Sequence, residues 1–128
     1  MSITNNKVKV NVKSKGEQKM EIIKQVGEFT KGEVFNLTQG STGKISDMVD
    51  TVIEPAGWIL YKDENNKGEL QEVLVIKDKN GYLLATISST FINQFLKMYE
   101  FMDGEDYNIK VIGKKSNAGR NYITCEVA

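Results

Sequence analysis

Alternation of apolar and polar positions dominates the chain. KVKVNVK (7–13) sets Val8, Val10 and Val12 against Lys7, Lys9, Asn11 and Lys13, the two-residue period of a half-buried strand. QKMEIIKQV (18–26) predicts a second strand, and VFNLT (34–38) a short extended piece. ISDMVD (45–50) fits one helical turn or a tight connection after the loop QGSTG. TVIEPAGWILYK (51–62) is apolar and β-prone, but Pro55 and Gly57 interrupt it, so an edge, bulge or bend is expected there. LQEVLVIK (70–77) and YLLATIS (82–88) flank DKNG, whose Asn80-Gly81 pair predicts a tight hairpin with positive φ at both residues. YNIKVIG (107–113) and NYITCEV (121–127) alternate again around a basic turn, KKSNAGR.

One segment changes period. Over 89–102, Phe91, Phe95, Met98, Tyr99 and Met102 recur at three- and four-residue spacing, with Ile92 and Leu96 widening the stripe. A serine precedes the segment and Gly104 follows it, so a capped helix is predicted. From about residue 51 the order is strand, strand, strand, helix, strand, strand. That is the order of an OB-fold. The predicted fold class is therefore mostly β: an OB-fold-like, five- to seven-stranded antiparallel barrel with one α-helix, about 89–102, between its third and fourth strands. The earlier strands are additions to the barrel, or one of them enters it. At 128 residues the chain reads as a single domain, 1–128, with a disordered start over 1–6.

Composition narrows the chemistry. There is no histidine and one cysteine, Cys125. Intrachain disulfides, the usual zinc sites and Ser-His or Cys-His nucleophile pairs are thereby excluded. Carboxylates are plentiful but fall in no recognisable catalytic motif, and the expectation is a protein that is not an enzyme and uses no cofactor or metal. GSTGKIS (40–46) lacks the spacing of a phosphate-binding P-loop, since Gly40 and Gly43 stand too close and Ile45 follows Lys44; it reads as a flexible basic loop. No apolar run approaches the roughly 18 residues that span a bilayer, and the first ten residues lack the apolar core of a secretion signal. A soluble, cytoplasmic chain with no membrane partner is expected.

Net charge is zero, but unevenly spread. Residues 1–32 hold seven lysines against three glutamates, and 107–125 hold Lys110, Lys114, Lys115 and Arg120 with no acid, whereas 44–106 hold six lysines against twelve acids. Such a chain can fold with one basic and one acidic side. In the final hairpin, alternation sends Ile123, Cys125 and Val127 to the core and Lys110, Arg120 and Tyr122 to the other face, with Lys114 and Lys115 at the tip. Cations for phosphates and a flat ring for an unpaired base are what single-stranded nucleic acid requires; a solvated edge hairpin kept soluble by lysines gives the same pattern. Trp58 and Tyr61 sit on opposite faces of one strand, which predicts one in the core and one on the surface, with Tyr61 the better stacking candidate. Lys7, Lys9 and Lys13 form a basic strand face suited to phosphates or to solubility.

The segments EVFNLTQGSTGKISD, DKNGYLLATISSTFINQFL and YNIKVIGKKSNAGRNYITCEV give residues 33–127 a resemblance to the small single-stranded DNA-binding proteins of tailed phages, and related mobile elements, of Gram-positive bacteria. The resemblance implies an OB-like barrel, sequence-nonspecific binding of single strands, and a replication role in the cytoplasm of a bacterial host, coating and protecting displaced strands. It implies Lys110, Lys114, Lys115, Arg120 and Tyr122 as contact residues, with Trp58 and Tyr61 as weaker transfers. The expected partner is single-stranded DNA, with RNA not distinguished from it; replication proteins and a monomer or weak homodimer complete the expectation. Bacterial host proteins of this function end in an acidic recruiting tail, whereas EVA follows the last strand here, so recruitment by such a tail is not expected. The rival reading, from the charge balance, is a protein-interaction or inhibitor module of a mobile element working through its acidic middle.

Overall fold

The structure, a computed structural model, describes residues 20–65 and 67–128. The strand expected at 7–13, with Lys7, Lys9 and Lys13, lies outside the described residues. Among the described residues the chain is mostly β, in two sheets with two α-helices. Strands β1 (Met20–Val26), β2 (Gly43–Lys44), β4 (Pro55–Glu64), β5 (Leu70–Asp78) and β6 (Leu83–Thr86) form one sheet in the order β1-β4-β5-β6-β2. Strands β3 (Val52–Ile53), β7 (Ile109–Lys115) and β8 (Asn121–Val127) form the other, in the order β3-β7-β8. Only Glu54 separates β3 from β4, so the bend expected near Pro55 is where one run of chain passes from sheet to sheet. Pro55 opens β4, where its missing N–H costs no central ladder bond.

Helix α2 (Ser89–Met102) matches its predicted bounds. Ser88 Oγ accepts from the Phe91 N–H at 3.2 Å, and Asp103 closes the helix in the left-handed region, followed by Gly104. Its apolar stripe buries Phe91, Ile92, Phe95 and Met98 against Trp58, Leu60, Leu74 and Ile76 of the larger sheet and Ile109, Val111 and Cys125 of the smaller one. Burial of each phenylalanine contributes about 1.5–3 kcal/mol.

The opposite face of the larger sheet is also covered. Helix α1 (Lys31–Thr38) places Leu37 over Ile59, Tyr61, Val73 and Val75, with Phe29, Met20 and Ile22 beside it. The extended piece expected at 34–38 is thus helical. A capping box explains it: Glu33 N–H donates to Thr30 Oγ1 at 3.0 Å, and Thr30 N–H donates to Glu33 Oε1 at 2.8 Å. Lys77 Nζ then ties the helix to β5, donating to Glu33 Oε1 and to the Glu28 carbonyl, each at 3.0 Å. Gly57 permits the crossing of β1 and β4, since a Cβ there would stand 2.8 Å from the Val26 carbonyl oxygen.

The expected antiparallel barrel with one helix is therefore corrected. No closed barrel forms among the described residues. Strand β6 is four residues long, and its outer edge pairs in parallel with β2 (Gly43↔Leu84, Lys44↔Ala85) rather than with β8. The order strand, strand, strand, helix, strand, strand does hold over 55–127, with the two-residue strand β3 added before it. The turn at 79–81 also differs from expectation: Gly81 alone takes positive φ. Asp78 N–H donates to the Tyr82 carbonyl, and Asp78 Oδ1 accepts from the Tyr82 N–H, both at 2.9 Å. The β7–β8 hairpin repeats the device, with positive φ at Gly119, and Ser116 Oγ accepting from the Arg120 N–H at 3.2 Å.

Candidate nucleic-acid interface

A cleft of about 1000 Å³ opens where β6 and β8 fail to meet. One wall is β2 with the end of β6, carrying Lys44, Thr86 and Ser88; the other is the tip of the β7–β8 hairpin, carrying Lys114, Lys115 and Tyr122. Among the described residues, three lysines line it and no carboxylate does.

Local geometry sets each side chain. Directly opposite residues of an antiparallel pair share a face, so the register Lys114↔Tyr122 puts ammonium and ring side by side. Ile123 is buried and holds β8 on the core, which leaves Tyr122 half-exposed. Lys44 is exposed next to the wholly buried Ile45, which opens a 3₁₀ turn, Ile45–Met48, packed beneath the cleft. Gly113 keeps that floor low: a Cβ there would stand 3.1 Å from Val49 Cγ1. Thr86 Oγ1 and Ser88 Oγ each accept a backbone N–H, at 3.0 and 3.2 Å, and each hydroxyl keeps its own proton to donate. Ile87, 60% exposed, adds an apolar rim. Cations, hydroxyl donors, an amide at Asn121 and one ring can together hold a phosphate backbone and an unstacked base.

The candidates from sequence divide. Lys114, Lys115 and Tyr122 converge on the cleft. Lys110 shares the strand face of Lys114 and Tyr122 but lies about 13 Å along the strand from Lys114 at the usual rise, opposite Glu126. Arg120 is exposed in the turn, outside the cleft lining.

Trp58 and Tyr61 are corrected outright: they are 3% and 5% exposed, and neither can stack a base. Opposite faces of β4 do carry them, but α2 covers one face and α1 with Phe29 the other. Trp58 meets Phe95 and Tyr99 in T-shaped contacts at 5.2 and 5.1 Å. Tyr61 is buried with Val73 and Val75; burial first, and then the Asp63 carboxylate, push its hydroxyl up to about 12. Lys44 is the cleft lysine that the alternation pattern misses, because its strand, β2, is two residues long and shows no alternation. Its signal was the basic, glycine-flanked loop itself.

Burial pushes the Cys125 thiol up to about 12, which suits packing rather than nucleophilic attack. Among the described residues no group of His, Cys, Asp or Glu could hold a metal ion, and no helix is long and apolar enough to cross a membrane. The sequence matches no protein-family model, no curated protein and no solved structure.

Proposed function

We propose that this chain is a sequence-nonspecific single-stranded DNA-binding protein that coats and protects displaced strands during phage or mobile-element replication in a bacterial cytoplasm, built as an OB-like fold left open on one side. The single observation behind the reading is the cleft in which Lys44, Lys114, Lys115 and Tyr122 meet, with no carboxylate among its described lining residues. The lysines neutralise phosphates and Tyr122 offers a face on which any base can stack, which gives affinity without sequence choice. Walls on both sides of the cleft favour a flexible single strand over a stiff duplex. Concentrating lysines there also reconciles binding with zero net charge, because a local field steers a polyanion whatever the total.

Anisotropy of labelled oligo-dT tests the proposal. Affinity should fall with salt, with a slope of about −2 for three lysine–phosphate contacts, and duplex of the same length should compete poorly. Absence of binding at low salt would overturn it, and equal competition by duplex would reassign the cleft to another nucleic acid.

A further inference from the structure

The cleft is bounded by two free strand edges as well as by lysines. Among the described residues, strands β2 and β8 are the outermost strands of their sheets, and both line the cleft. The hydrogen-bond phase of β8 is fixed at its two ends: Ser116 N–H donates to the Arg120 carbonyl at 2.9 Å and Ala128 N–H to the Asn108 carbonyl at 3.0 Å. With the register Lys114↔Tyr122, the even-numbered residues of β8 bond β7, and Asn121 and Ile123 turn their backbone N–H and C=O to the outer edge. Among the described residues no strand pairs with that edge. An added strand there would alternate between a face shared with Lys114 and Tyr122 and a face shared with Lys115 and Ile123.

We infer that the β8 edge accepts an extended acidic segment of a partner protein, which adds as a strand and occupies the cleft. Backbone pairing supplies part of the affinity and the lysines select the charge. Lys44, on the far wall, faces the same segment. Carboxylates at alternate positions meet Lys114, and small apolar residues between them lie towards Ile123 and Val49. Such a segment excludes a nucleic-acid strand from the cleft, so the partner would release the coat as it docks. The docking rests on the strand edge and the charge alone; the release rests on the function proposed above.

The probe is a short fluorescein-labelled peptide alternating aspartate and valine, titrated at low salt beside labelled oligo-dT. The peptide should bind, compete with oligo-dT, and slow amide exchange at Ile123. Methylating the peptide amides that face β8 should weaken it about tenfold, the loss of one or two hydrogen bonds, with its charge unchanged. No binding of the unmodified peptide, or equal binding of the methylated one, overturns the inference. Oligo-dT binding without peptide binding sinks this inference and leaves the proposed function standing; peptide binding without oligo-dT binding does the reverse.

Discussion

Strand β4 and the β7–β8 hairpin look alike as text and end up opposite in role. Each combines aromatic, aliphatic and cationic residues in a β-prone run. In β4 five consecutive residues, Gly57 to Tyr61, are buried, because helices cover both faces of the sheet. In β8 burial alternates, with Ile123 and Cys125 inside and Tyr122 and Thr124 between them half-exposed. Periodicity assigns residues to faces; whether a face meets water depends on what a distant segment lays over it. Here the cover for Tyr61 is α1, through Leu37, with Phe29 beside it.

Trp58→Ala breaks the comparison most severely. It should cost about 3–5 kcal/mol of unfolding free energy, measured by urea denaturation, whereas Trp58→Phe stays folded and keeps its affinity for oligo-dT. A Trp58→Phe protein of full stability that no longer binds would return the residue to the interface. Next comes the alkaline limb of stability. Tyr61 and Cys125 are both held protonated by burial, each pushed up to about 12. The unfolded chain releases these protons first, so the stabilisation is complete below about pH 8 and is lost as pH rises from about 9 towards 12. Thermal melts across that range should show the decline, and Cys125→Val should shrink it.

On the hairpin side the effects move from stability to binding. Tyr122→Ala should cost about 1–3 kcal/mol of affinity for oligo-dT with an unchanged salt slope. Lys114→Glu with Lys115→Glu should flatten the slope by about 1.4, and should move the melting transition little because both residues are exposed. The smallest effect belongs to α1: Thr30→Ala removes the cap and should cost about 1 kcal/mol in urea, with binding intact.

Local grammar carried most of the fold. Helix α2, the bend at Pro55 and both hairpins are written in spacing and turn residues, and they fall where expected. Helix α1 was hidden because VFNLT is rich in residues that favour strands; its signal was the TKGE capping box, which a reading by hydrophobic period passes over. Closure of the barrel could not be read, because it depends on whether β6 gives its edge to β2 or to β8, a choice between distant partners. The site was legible where it lies on alternating strands, at Lys114, Lys115 and Tyr122. It was illegible at Lys44, which the two-residue strand β2 delivers from the opposite wall.

The indole of Trp58, the sole tryptophan, sits among aromatic rings, and among the described residues its N–H has no acceptor. Its emission should be blue-shifted and shielded from iodide, since no water relaxes around the excited dipole. The molecule thus carries a built-in optical gauge of its own integrity, silent to whatever fills the cleft and responsive when α2 lifts from the sheet.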